Sequence, residues 1–427
     1  MNKNILFFPS YSEHKQVYES LLKLRELGYT VYSLCDKILE HPVDVFEKQL
    51  ICDITKTKET IEFLKQQNLH FDAIFTNSVE LVTPLIALLA KIYGFVGNDP
   101  KTAFYCRSKY HMRKKFLENN IPSPKFKLCK NYEDIEKAIQ EIKVPCVLKP
   151  VGWHSSFGTF MIRDSEDLKK LESNYKTSIE FLLKEIKEIC AYEKEDLDLI
   201  GMNDEVNMAT DYLVEEFMDG QEISVDAMTQ NGKTTILGIA QQVRMSPPYF
   251  VQLAEKIPYV CDTEKSEKIK ELIENTIAAM GIKNSATHTE IIFTEEGPKI
   301  VEIACRSGAD NIHDAIYNVT GYSTLYENAM IALGVERHYE VETKCHTAMQ
   351  YILPEKAGIL SKFEIPKEVS ENPDVLEIKI ITKEGSKVAP PPQNFDYIGY
   401  VLVKGKTPEE AEQNLQNALN KISIQID

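Results

Sequence analysis

The chain has 427 residues, more than one ordinary core accommodates, so two or three domains are expected. Its 49 basic and 65 acidic side chains leave a formal charge of −16, which argues against nucleic-acid partners, because phosphate contacts need a basic face. The nine cysteines are scattered, odd in number and never spaced as CxxC, which disfavours a zinc site or a disulfide framework, and no apolar run is long enough to cross a bilayer.

Met1 leads through Asn-Lys-Asn into a short strand without a signal-peptide pattern, so a cytoplasmic protein is expected. The first hundred residues alternate strand and helix. The strands are Ile5–Phe8, Tyr29–Leu34, Leu50–Ile54 and Asp72–Thr76; the helices are His14–Leu27, Thr57–Gln67 and Val79–Tyr93. This rhythm predicts a parallel sheet covered by helices, with ligands at the carboxyl ends of the strands. Asn77, Ser78 and Glu80 follow such an end, so Glu80 is either a substrate contact or part of a helix cap. No GxGxxG opens the first helix, which disfavours a dinucleotide-binding domain. Gly97–Pro100 is a turn cluster, followed by a basic helix over Ser108–Asn119.

Pro145–Phe160 reads as a strand ending at Lys149, then a loop with Gly152, Ser155, Ser156 and Gly158. Lysine at a strand end offers a point charge for phosphate, and a small-residue loop lets backbone N–H groups approach it. A helix is expected over Thr177–Tyr192 and an acidic connector over Glu193–Glu205. Tyr212–Val319 reads as mostly strands with one helix over Glu264–Met280. Tyr212–Asp226 is a strand, an acidic bend and a second strand, where an apolar slot suits adenine and Glu222 suits ribose hydroxyls; a surface hairpin carries the same pattern. Arg244, before Met245-Ser-Pro-Pro248, is either a clamp for a substrate carboxylate or a surface arginine. A fresh α+β pattern begins near Leu333, with strands at Ala348–Leu353 and Gly399–Val403 and a last helix from Thr407.

The pattern His288–Phe293, turn, Lys299–Ala304 predicts a hairpin. Strands paired symmetrically about Glu296 put Glu290 opposite Glu302, on one face beside Ile292 and Ile300. Like charges facing each other are destabilising, and a divalent cation between them turns repulsion into ligation. Two solvated glutamates on an exposed hairpin are the plainer alternative. Arg306 follows closely with a fixed positive fork suited to phosphate.

Taken in order, Ser108-Lys109, Pro145–Gly158, Leu213–Glu222, His288-Thr-Glu290 and Glu302–Gly308 resemble the ATP-grasp superfamily, and within it the L-amino-acid (dipeptide-forming) carboxylate–amine ligases. The resemblance spans about residues 1–420 and implies a mixed α/β and α+β fold. An N-terminal α/β domain (1–105) would precede an ATP-grasp region (106–335) with a mobile lid at about 130–210, and an α+β segment (336–427) would complete it. It also implies ATP and Mg²⁺ as cofactors, with Mn²⁺ as a substitute, and amino acids as substrates. Lys109 and Lys149 would hold α- and β-phosphates, and the Ser155–Gly158 loop would cover the γ-phosphate. Glu215, Phe217 and Met218 would meet adenine, Glu222 the ribose, and Glu290 and Glu302 the metal. Arg306 would hold an acyl phosphate, and His288 is a candidate base, though a satisfied strand histidine reads the same. Asp310 and Asn311 are further substrate contacts. Ala304 departs from the pattern, since many superfamily members have Asn there as a further metal ligand, so the number of ions stays open. An ATP-grasp enzyme that activates bicarbonate or formate, or a non-catalytic nucleotide-binding module, are the competing readings. A C₂ homodimer is the commonest assembly for soluble enzymes and the starting expectation here.

Overall fold

The computed structural model describes all residues except 1–2, 11–14, 41–43, 154–157, 182, 185–193, 204–205, 247–249, 310 and 392–395. Strands β1 (Asn4–Phe8), β2 (Thr30–Cys35), β3 (Lys48–Ile51) and β4 (Ala73–Thr76) form a parallel sheet in the order β3-β2-β1-β4. Ile5 and Phe7 face one helical layer and Leu6 and Phe8 another, so β1 is buried on both faces, as a covered parallel sheet requires. One layer includes Leu325, Ala329 and Met330 from helix Thr324–Ala332, so the far end of the chain returns to close the first sheet.

β5 (Phe126–Cys129), β6 (Cys146–Pro150), β7 (Phe160–Ile162) and β8 (Tyr212–Glu216) form an antiparallel sheet ordered β5-β8-β6-β7. The largest sheet has eight strands. It joins β9 (Gln221–Gln230), β10 (Lys233–Arg244), β11 (Gln252–Ile257), β12 (Ser285–Thr294) and β13 (Gly297–Ala304) to β14 (His346–Ile352), β16 (Val375–Ile380) and β18 (Gly399–Gly405). A small sheet of β15 (Gly358–Glu364), β17 (Lys387–Val388) and β19 (Ser423–Ile426) completes the chain.

Several expectations change in detail. The helix read from Val79 begins as a 3-10 turn at Glu80–Val82, and its α-helical part starts at Thr83 with Pro84 in its first turn. The helix placed at Thr177–Tyr192 starts earlier, at Ser165, and most of the expected range lies outside the described residues. The acidic connector contains a helix, Lys194–Leu199, whose Leu197 packs with Ile200 into the core beneath the first sheet. Residues 212–319 hold a second helix, Ile312–Thr320, packed on β10 and β14. No helix among the described residues is long and apolar enough to cross a membrane.

The hairpin departs most instructively. Thr294 pairs with Gly297, which makes a tight turn centred before Glu296, yet Glu290 still faces Glu302. A bulge at Val301 absorbs the one-residue difference. It also turns Ile300 into the core with Ile291 and Ile303, away from the carboxylates, and puts Val301 on the cavity side with Ile292. The bulge is held from outside: the freed Val301 carbonyl accepts from Arg113 Nη2 at 2.7 Å.

Candidate functional site

A cavity of about 700 Å³ lies between the β5–β8 sheet, one face of the eight-stranded sheet and the carboxyl end of β4. Lys109, Lys149, Glu215, Phe217, Met218, Glu222, Arg244, His288, Glu290, Glu302, Arg306, Glu80 and Asn311 all line it, so residues drawn from every part of the first 311 positions converge. Ser155, Ser156 and Asp310 lie outside the described residues. Gly158 has φ +66°, and a Cβ there would come within 2.8 Å of Ser178 Oγ, so its glycine answers to backbone space.

Lys109 opens the helix Lys109–Glu118, whose preceding Ser108 caps it by accepting from the His111 N–H. Its Nζ stands 3.2 Å from Glu302 and also donates to the Trp153 carbonyl. Lys149 sits on β6 diagonal to Glu215 on β8, and their side chains meet at 2.6 Å. Arg113 grips the same carboxylate with two bonds, Nε–Oε1 at 2.8 Å and Nη2–Oε2 at 3.2 Å. Burial by itself would raise the Glu215 carboxyl, but the Arg113 and Lys149 charges outweigh it and hold it below its usual range. Burial likewise draws Lys149 below the usual lysine range, against the pull of Glu215.

Arg306 donates to Glu80 at 2.6 Å, and Arg107 donates to the other carboxylate oxygen at 2.7 Å. Burial would raise this carboxyl, but the two arginines outweigh it and keep Glu80 ionised. Glu80 therefore spends both oxygens on aiming guanidiniums. His288 on β12 faces Asp226 on β9, with Nδ1 and Oδ2 2.9 Å apart. Asp226 also accepts from the Gly308 N–H at 2.6 Å, and a Cβ at Gly308 would come within 2.8 Å of the Ile312 side chain and 3.0 Å of the His288 ring, so the backbone packs closely there. Burial would lower the His288 pKa, but Asp226 outweighs it and the ring keeps its proton to higher pH than an ordinary histidine.

Across the cavity, Arg244 reaches Glu222 closely and stands 3.8 Å from Glu290. Burial pushes the Glu222 carboxyl up to about 7 even beside Arg244, with Glu290 adding to the rise. Glu290 and Glu302 form a facing pair of hard oxygen donors on the cavity wall. Among the described residues no group of three or more histidine, cysteine, aspartate or glutamate side chains is arranged to hold a metal unaided. The pair thus fits a cation that takes its remaining ligands from a phosphate or water, as Mg²⁺ commonly does.

Sequence reasoning missed Arg113, Arg107 and Asp226. Arg113 looked like an ordinary member of the basic helix, Arg107 lies just before that helix, and Asp226 looked like one polar residue in a strand.

Residues 142–314 match the ATP-grasp domain, and residues 350–427 match the L-amino acid ligase C-terminal domain 2. The alanine–anticapsin ligase of Bacillus subtilis is 25% identical over 68% of this chain, and the match spans 59% of that enzyme's length. The crystal structure of an L-amino acid ligase from Bacillus licheniformis superposes with a TM-score of 0.80 at 19% identity, covering 100% of this chain and 99% of that one. A phosphoribosylglycinamide synthetase from Anaerococcus prevotii gives a TM-score of 0.71 at 18% identity, with 100% of both chains covered. The expected α/β and α+β architecture is therefore present.

Proposed function

We propose that this ATP-grasp chain is an ATP- and Mg²⁺-dependent carboxylate–amine ligase that joins amino acids and releases ADP and phosphate. One observation carries the reading: Glu290 and Glu302 face each other in the same cavity that gathers Lys109, Lys149 and Arg306. Cation-binding and phosphate-binding chemistry meet there, and phosphoryl transfer depends on such positioning and charge stabilisation more than on covalent help from the protein.

Lys109 and Lys149 hold the polyphosphate, Phe217 and Met218 form the apolar slot for adenine, and Glu215 fixes Lys149. Glu290 and Glu302 would hold Mg²⁺ (or Mn²⁺), which would neutralise charge on the terminal phosphates. The substrate carboxylate attacks the γ-phosphorus, giving an acyl phosphate and ADP; the amine then attacks the acyl carbon and phosphate leaves. Arg306, braced by Glu80, faces the negative charge of the acyl phosphate and of the tetrahedral species that follows. His288 serves better as a proton-bearing donor than as the base, because Asp226 favours its charged form. The amine's proton then passes to solvent or to the departing phosphate.

The fold is shared with enzymes of other acceptor chemistry, so the acceptor decides between readings. A screen of pairwise amino acids with Mg-ATP, read as phosphate release, should find at least one pair that drives turnover. Release that needs bicarbonate or formate and no amino acid would favour a carboxylase or formyl-type enzyme. Nucleotide binding with no substrate-dependent release across the whole panel would favour a binding module.

A further inference from the structure

Behind the bracket that aims Arg306, two cysteines from distant parts of the chain are brought together. Cys106 lies in the helix Pro100–Arg107, and Cys305 directly follows β13, on which that helix packs. Each is the immediate neighbour of an arginine that grips Glu80: Arg107 at 2.7 Å on one carboxylate oxygen and Arg306 at 2.6 Å on the other. Holding one carboxylate from both sides sets the two backbones side by side, and the Cys106 S–H donates to the Cys305 sulfur. Both are free thiols, buried in one apolar cluster with Ala103, Phe116 and Ile303. The hydrogen bond between them raises the Cys106 thiol well above its usual range and lowers Cys305 below it. Cys305 is 8% exposed and Cys106 1%, so a small oxidant meets Cys305 first.

We propose that Cys106 and Cys305 form a reversible disulfide, made by peroxide and undone by thiols, that unseats the arginine bracket of the site. The Cys305 sulfur attacks one peroxide oxygen, the O–O bond breaks, and a sulfenic acid forms as water leaves with the thiol proton. The Cys106 sulfur then attacks the Cys305 sulfur; the S–S bond forms, the S–O bond breaks, and a second water departs with the Cys106 proton. Two thiols lose two electrons to one peroxide, and two equivalents of an external thiol return them by exchange. A covalent S–S bond is shorter than the thiol hydrogen bond it replaces, so the helix end and the turn after β13 must move towards each other. Arg107 and Arg306 move with them. Arg107 also donates to the Gly152 carbonyl at 3.1 Å, in the loop after Lys149. The shift therefore reaches both the Glu80 bracket and the polyphosphate end of the cavity. This consequence rests on reading the cavity as the Mg-ATP site, whereas the disulfide itself does not.

The whole protein, reduced and then exposed to hydrogen peroxide, is digested with its remaining thiols blocked, and its cross-linked peptides are mapped. The site predicts one dominant link, Cys106 to Cys305, that disappears with dithiothreitol. Calorimetry should show the oxidised protein binding Mg-ATP at least about fivefold more weakly than the reduced one, because small displacements of positioning groups weigh heavily. Dithiothreitol should restore the affinity in full. Cys106→Ser should bind as reduced wild type does and keep that affinity after peroxide. Absence of the Cys106–Cys305 link, or a linked protein that binds Mg-ATP as tightly as the reduced one, overturns the proposal. The wild-type measurements need no variant, so a folding defect in Cys106→Ser leaves them decisive. Failure of the reduced protein to bind Mg-ATP would instead sink the nucleotide reading, and the peptide map alone then decides the disulfide.

Discussion

Two ion clusters of similar composition face each other across the cavity and carry opposite charge. On the β6–β8 wall, Arg113 and Lys149 share Glu215, two cations to one carboxylate, and the carboxyl stays ionised. On the β9–β12 wall, Arg244 serves both Glu222 and Glu290, one cation to two carboxylates, and Glu222 is pushed up to about 7. The first wall is left with excess positive charge, which suits polyphosphate. The second is left with excess negative charge, which suits a metal ion. The clusters differ in how many cations contact each carboxylate: two for Glu215, one shared between Glu222 and Glu290.

The largest effect should come from breaking the positive cluster. Arg113→Ala leaves Glu215 buried with one partner fewer and frees the Val301 carbonyl at the bulge, so it should cost about 3–5 kcal/mol of stability by denaturant melts. A loss under about 1 kcal/mol would mean the cluster is more solvated than its burial indicates. Next comes the anchor between the walls. Arg306→Lys keeps the charge but loses the fork that Glu80 braces, so phosphate release at saturating substrate should fall about 10²-fold with the melting temperature nearly unchanged. Wild-type turnover in that variant would remove Arg306 from the chemistry.

The smallest effect sharpens the negative cluster. Below about pH 7 Glu222 carries its proton and is neutral; above it the carboxylate is ionised beside Glu290. Apparent Mg²⁺ affinity in the presence of ATP should therefore rise severalfold as pH increases through 7, and Glu222→Gln should flatten that slope. An unchanged slope in the variant would assign the titration to another group.

The facing glutamates were legible in sequence because strand alternation places side chains without reference to the rest of the fold. The register that brings them together was right for an incomplete reason. Symmetry about Glu296 gave the correct pair, but the real turn is offset, and the Val301 bulge compensates. That bulge is fixed by Arg113 from 188 positions away, and no local pattern announces it. Glu80 was read as either a contact or a cap, whereas its neighbours make it the brace of two arginines. Lys149 was legible as a strand-end cation, but Glu215, assigned to adenine by resemblance, also anchors that lysine. Pairings over long sequence separations decide such roles, and those become visible only once the sheets are assembled.

The account stands on a divalent cation held by Glu290 and Glu302 against a bound nucleotide. Its most direct test is Mn²⁺ titration in the presence of ATP, followed by loss of the free-ion electron paramagnetic resonance signal. Wild type should bind Mn²⁺ in an ATP-dependent manner, and the Glu290→Gln/Glu302→Gln protein should bind it at least about tenfold more weakly while remaining folded. Equal ATP-dependent Mn²⁺ binding by the two proteins would contradict the account.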